Sequence, residues 1–413
     1  MTAAPTRADA LACDAVDPLR AKRDAFLLPD GVIYLDGNSL GALPRTTPAR
    51  IDRTIRQEWG EHLVGSWNSA GWIDAPARVG RRIARLIGAA DDEVLVTDST
   101  SVNLFKLLAA ACTARPGRTT ILSEPGNFPT DLYVADGVAR TLADRRVRTV
   151  PVDALVDAID EDVAVVLLTH VHYKTGRKLD MAAITAAAHA NGALVLWDLS
   201  HSVGAVHVAL RDCGADLAVG CGYKYLNGGP GAPAFLFVAR ELQDQLRSPL
   251  SGWMGHRAPF DFVDDYRPAE GIARFLCGTP SIVAMAALEE GVSLFDDVDL
   301  DLLVAKSQAL CDRFIALVDA WCAGFDLRLL TPRDHRGRGS HVSLAHPDAY
   351  ALCQALIARG VVGDFRAPDA IRFGFTPLYV GHDDVWRAVD ILRDVLATRS
   401  WDREEHRRRA AVT

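Results

Sequence analysis

Between about residues 75 and 240 the chain alternates short apolar runs with stretches of helical periodicity. Val94-Leu95-Val96-Thr97, Thr119 to Ser123, Val163 to Thr169 and Ala193 to Asp198 read as strands. The last two are continuous enough in apolar residues to be buried on both faces, as strands of a parallel sheet are. The intervening Ser99–Ala114 and Asp180–Ala190 read as helices, with hydroxyls or Asp180 at the N-cap and Gly192 just past an end. This βαβ rhythm predicts a mostly parallel sheet flanked by helices. Before residue 60 the pattern gives a helix, an extended Ile33–Asp36 piece, a loop punctuated by Pro44 and Pro48, and an amphipathic helix. After about 290, helices over Asp301–Ala320 and Asp348–Arg359 alternate with short strands such as Ile371–Phe375. The expected division is a large α/β domain over 61–290 and a smaller α+β domain made from 1–60 and 291–413.

Composition narrows the class. The 413 residues carry 53 acidic and 45 basic side chains, a formal charge of −8, which argues against nucleic-acid binding. No apolar run reaches the length of a membrane span. The polar segment Met1–Asp17 lacks the core of a signal peptide, so a cytoplasmic protein is expected. The eight cysteines are scattered without a CxxC pair and read as reduced residues, not zinc ligands. His170-x-His172 has no third ligand at metal spacing and reads as strand-end histidines. Arg407–Arg409, mixed with Glu404 and Glu405, reads as a solvated helix end. Lysine is scarce: only Lys22, Lys106, Lys174, Lys178, Lys224 and Lys306. An imine to a carbonyl cofactor therefore has six candidate sites.

Three stretches carry candidate chemistry. Asp198-Leu199-Ser200-His201 follows a buried strand, where ligands of open α/β sheets bind; Asp198 either meets a ligand cation or caps a turn. Gly220-Cys221-Gly222-Tyr223-Lys224-Tyr225-Leu226-Asn227-Gly228-Gly229 places a lysine among small residues with a tyrosine beside it. It is either a nucleophile with a nearby proton donor or a surface turn. Asp98-Ser99-Thr100-Ser101-Val102-Asn103 turns a strand into a helix, forming either a phosphate cradle or simple capping. Gly37-Asn38-Ser39-Leu40-Gly41 matches a nucleophile elbow and would make Ser39 a hydrolase nucleophile. It lies too early in the chain, and Pro44 follows where a helix is needed.

Taken together, Tyr34-Leu35-Asp36-Gly37-Asn38-Ser39-Leu40-Gly41, Phe128-Pro129-Thr130-Asp131, Asp198-Leu199-Ser200-His201, Tyr223-Lys224-Tyr225-Leu226-Asn227 and Gly252-Trp253-Met254-Gly255-His256 resemble the kynureninases. The resemblance runs from about residue 25 to 395. It implies a pyridoxal-phosphate enzyme of fold type I, the aspartate-aminotransferase fold. The implied reaction is hydrolytic cleavage of L-kynurenine to anthranilate and L-alanine in tryptophan degradation, by a homodimer with its site at the subunit interface. By position, it implies that Lys224 carries the cofactor as a Schiff base, that Asp198 pairs with the pyridinium nitrogen, and that His201 lies beside it. Phe128 would stack on the ring, with Pro129, Thr130 and Asp131 completing that loop. Thr100 and Ser101 would bind phosphate. Thr169 and Tyr223 match further cofactor contacts, and Trp253 and Thr279 match phosphate contacts from the partner subunit. Arg372 would clamp the substrate carboxylate in bidentate fashion, and Trp67 would line the aryl pocket. Trp67 and Thr279 mark the bacterial form, with preference for kynurenine over 3-hydroxykynurenine. Lys224 and Tyr223 are the implied acid–base pair; Tyr223 acting as a base would require a lowered pKa. The alternatives are another fold type I enzyme, such as a cysteine desulfurase or class V aminotransferase, the Ser39 hydrolase, and a non-catalytic relative. Intact Lys224, Asp198 and Arg372 oppose the last.

Overall fold

The computed structural model describes residues 5–410; the outermost residues of the expected small domain, 1–4 and 411–413, lie outside that range. Its centre is a seven-stranded sheet. In spatial order the strands are Val94–Val96, Phe235–Val238, Leu217–Gly220, Leu194–Asp198, Val163–Thr169, Thr120–Ser123 and Arg146–Thr149. Phe235–Val238 runs antiparallel to both neighbours; the other pairings are parallel. Every residue of Val163–Thr169 and Leu194–Asp198 is buried, as their unbroken apolar runs require.

Helix boundaries follow local chemistry. Thr100–Thr113 starts where the Ser99 hydroxyl accepts from the Val102 N–H. Met181–Ala190 starts where Asp180 accepts from Ala183, and ends before Gly192 at φ +73°. The predicted helix over Asp301–Ala320 spans Leu300–Trp321, capped by Asp299.

A second, antiparallel sheet orders Arg328–Leu329, His341–Ala345, Ala370–Gly374 and Asp364–Arg366. Phe314 of the long helix packs on Phe373 and Phe375, with ring centroids 4.9 and 5.3 Å away. The N-terminal segment joins this half: Ile33–Tyr34 pairs in parallel with Val361–Val362, and Asp36 bridges Gly374. No helix of the described residues is long and apolar enough to cross a membrane. All eight cysteines are free, and among the described residues no cluster suits a metal ion. The basic run at the C-terminus sits on the short helix Glu404–Arg407, where Arg407 pairs with Asp348 and Asp402.

Candidate active site

The carboxyl ends of the parallel strands converge on one point, as the switch-point rule for open sheets requires. Thr169 and Asp198 end adjacent strands in direct register. The loop after Thr120–Ser123 brings Asn127 and Phe128, and the turn after Leu217–Gly220 brings Tyr223 and Lys224.

Lys224 is buried. Its Nζ lies 3.3 Å from His201 Nε2 and 5.7 Å from the centroids of both Phe128 and Tyr223. Gly41 is what allows the chain to close over this lysine. A Cβ there would stand 2.3 Å from the Lys224 carbonyl oxygen, and the Gly41 N–H donates to the Tyr223 carbonyl. Asp198 accepts from the Ser200 N–H at 2.8 Å, and burial raises its pKa above the ordinary carboxylate range. Asp131 is raised further, first by burial and then by the negative charge of Asp198; its Oδ1 has no hydrogen-bond partner. Burial, then the positive charge of Lys224, pushes His201 well below its usual value, so its imidazole is neutral.

The sequence did not single out Asn127. Its amide oxygen accepts from the Phe128 N–H at 2.8 Å and from the Thr169 hydroxyl, so one side chain fixes the pose of two expected site residues. Phe128 N-caps the helix Pro129–Thr141, where Pro129 suits the first turn.

Arg372 already has partners within the chain. Its Nε and Nη2 grip Asp364 at 2.8 and 2.5 Å, Nη2 also donates to Ser39 Oγ at 2.8 Å, and Nη1 donates to the Tyr173 carbonyl at 2.6 Å. One Nη1 hydrogen is left, and the Nε–Nη2 edge of the fork faces Asp364. Arg366 stands alongside, 2.6 Å from Asp364 and 3.1 Å from Ser39. Ser39 thereby loses its hydrolase reading: its hydroxyl donates to Asp364 and accepts from two guanidinium groups, with no histidine among these partners. Asp36 completes the cluster; burial, then the neighbouring Asp364 charge, pushes its pKa up to about 8.

Tyr223 also moves against one expectation. Burial raises its phenol above the usual tyrosine value, the opposite of what a base would need. A neutral phenol is a proton donor. The hydroxyl-bearing turn at Ser99 and the exposed Thr279 line one cavity of about 540 Å³ with Tyr223. Trp67 packs edge-on against Trp72, and the exposed Trp253 against Phe260. His170 Nδ1 bonds the Ser202 hydroxyl and His172 Nε2 bonds the Gly126 carbonyl.

A family model described as the kynureninase C-terminal domain matches residues 303–392. A kynureninase of Burkholderia mallei (strain SAVP1) is 54% identical over 415 residues, covering 99% of this chain and 100% of that one. One from Pseudomonas fluorescens is 53% identical with the same coverage.

This chain belongs to the kynureninase family.

As a kynureninase-family member it is a pyridoxal-phosphate-dependent hydrolase acting on a carbon–carbon bond. The fold is that of fold type I enzymes. The apo cysteine desulfurase of Thermococcus onnurineus NA1 superposes with a TM-score of 0.77 over 91% of this chain and 97% of its own, at 18% identity. That likeness concerns the fold alone. Burial raises the thiols of Cys112, Cys221, Cys311, Cys322 and Cys353.

The residues present fit the cofactor. A buried lysine lies over two aromatic faces. Asp198 is a buried acid whose ionisation is penalised until a cation is set against it. Asp131 offers an unpartnered buried oxygen in the same place.

Proposed function

We propose that the chain hydrolyses L-kynurenine between Cβ and Cγ, releasing anthranilate and L-alanine, with Lys224 as the residue that carries the cofactor. The observation that supports this most is the setting of Lys224. It is a buried amine with a neutral imidazole and two aromatic rings for neighbours, at the strand ends that also present Asp198.

Pyridoxal phosphate, when bound, supplies an electron sink that lets a proton leave the substrate Cα. Asp198 would face the ring nitrogen and favour its cationic form. Phe128 presents its ring face, and Asn127 keeps it there. Lys224 Nζ removes the Cα proton and carries it onward, while neutral His201 beside it adds no competing charge. Tyr223, kept protonated, donates a proton during cleavage next to the γ-carbonyl. Arg372 offers its remaining Nη1 hydrogen, together with Arg366, to the carboxylate. Thr100, Ser101 and Thr169 complete the cofactor contacts, with Pro129, Thr130 and Asp131 shaping the loop under Phe128.

The working unit is read as a cytoplasmic homodimer, with Trp253 and Thr279 contacting phosphate across the subunit interface and Trp67 lining the aryl pocket. Apolar side chains such as Trp59 (61% exposed), Val64 (79%) and Phe262 (77%) support a partner of the same kind. Residues 61–290 form the large body, and 1–60 with 291–413 the small one. Trp67 favours kynurenine over its 3-hydroxy form.

The test is one purified sample. It should be yellow and release anthranilate and alanine in equal amounts from kynurenine. Protein that stays colourless with excess pyridoxal phosphate, or yellow protein that releases sulfide from cysteine but no anthranilate, contradicts the reading.

A further inference from the structure

Asp98 is out of place in a phosphate pocket. It follows the strand Val94–Val96 and directly precedes Ser99, the N-cap of Thr100–Thr113. Its side chain is 27% exposed and it lines the same cavity as Ser99, Tyr223 and Thr279. A carboxylate there repels a phosphate. It also has φ +48°, a left-handed conformation that costs a non-glycine residue energy unless its surroundings impose it.

Its side chain is paired with Lys106. Two turns into the helix and 0% exposed, Lys106 sends Nζ back to Asp98 Oδ2 at 2.5 Å and to the Phe275 carbonyl at 2.7 Å. Thr97 Oγ1 donates to the same Asp98 oxygen at 3.0 Å, and Ala234 N–H holds the Asp98 carbonyl. Phe275 ends the 3-10 turn Gly271–Phe275, and four residues later comes Thr279. One buried ammonium therefore ties together the turn carrying Thr100 and Ser101 and the segment carrying Thr279, and it neutralises the acid between them.

We propose that Lys106 is a positioning residue for the phosphate end of the cofactor site, setting the Asp98–Ser101 turn and the Phe275–Thr279 segment against each other through its bonds to Asp98 and Phe275. This rests on the reading of Thr100 and Ser101 as phosphate contacts. Lys106 does not touch the cofactor in this role; it fixes the elements that do.

The test compares binding of pyridoxal phosphate and of pyridoxal, which lacks the phosphate, by fluorescence titration. Both present the same aldehyde to Lys224, so the ratio of their affinities isolates the phosphate end. The first variant is the double substitution Lys106→Met with Asp98→Asn. It buries no unpaired charge, and asparagine tolerates the left-handed backbone, so the fold is retained and only the anchor is lost. Wild type should prefer pyridoxal phosphate by at least about 100-fold, with the double variant narrowing that preference at least about tenfold. Lys106→Met alone should narrow it further, because Asp98 is then an uncompensated negative charge. Hydrogen exchange in 276–281 should rise in both variants. A double variant that is folded and keeps the wild-type preference overturns the role of Lys106. Wild type that binds pyridoxal as tightly as its phosphate overturns the phosphate reading, and the proposal with it.

Discussion

Lys106 and Lys224 are both buried lysines at the mouth of the large sheet, and they have opposite fates. Lys106 is held by a carboxylate and a carbonyl; the neighbours of Lys224 are an imidazole at 3.3 Å and two aromatic faces. Burial is therefore not what marks a lysine for covalent chemistry. The direct partner is: an ion pair to Asp98 and a bond to a carbonyl tie the Lys106 nitrogen in place, while the Lys224 nitrogen meets only an imidazole and ring faces at contact distance and stays available to a carbonyl. Lys306, buried against Asp17 at 2.6 Å, belongs with Lys106.

The sharpest way to break this contrast is chemical. Borohydride reduction of the holoenzyme followed by peptide mapping should mark Lys224 and no other lysine, and Lys224→Ala should lower anthranilate formation by at least about 10³-fold. Label on Lys106 or Lys174 would end the argument from partners.

The locked class makes its own forecast in stability. Lys306→Met strands Asp17 in a site where both side chains are only 7% exposed, and should cost about 3 kcal/mol in urea unfolding. The exposed pair Arg56–Asp52 is the control, where Arg56→Ala should leave the urea midpoint essentially unchanged.

A subtler contrast lies at the carboxylate end. With Asp36 protonated, Arg366, Arg372 and Asp364 sum to one positive charge, a match for one substrate carboxylate. As pH rises through about 8, Asp36 ionises and the cluster becomes neutral. The KM for kynurenine should then climb several-fold between about pH 7 and 9 while kcat changes less, and Asp36→Asn should flatten that rise. A pH-independent KM in the wild type would remove Asp36 from the charge count. The smallest effect is expected at Trp67: Trp67→His should shift the kynurenine to 3-hydroxykynurenine activity ratio by roughly threefold to tenfold, read from initial rates on both substrates.

How much of this was legible beforehand depended on range. Val163–Thr169 and the Asp180 cap were readable because apolar period and capping are local. Lys224 stood out because small neighbours, an adjacent tyrosine and an upstream strand-end aspartate all occur within 26 positions. Asn127 looked like an ordinary loop polar residue, because its two partners, the next amide and a hydroxyl 42 positions away, meet only in the fold. Lys106 gave a weak signal, a lone charge amid Leu104, Phe105, Leu107 and Leu108, which marks a buried position without naming its anion. The Asp364 grip on Arg372 follows from their antiparallel register, which eight intervening positions do not reveal. Tyr223 is a case where sequence named the residue and only its surroundings settled the direction of its proton affinity.

The pairing of Ile33–Tyr34 with Val361–Val362 has a bearing on how the protein is made. The segment that closes over Lys224 through Gly41 is synthesised more than 300 residues before its strand partner. At about 5–20 residues per second, that is a wait of at least about 15 seconds with an apolar edge unsatisfied. The roof of the site is thus completed only once Val361–Val362 has emerged. A nascent or prematurely ended polypeptide can own every residue of the lysine pocket and still lack both its cover and the arginine that greets the substrate.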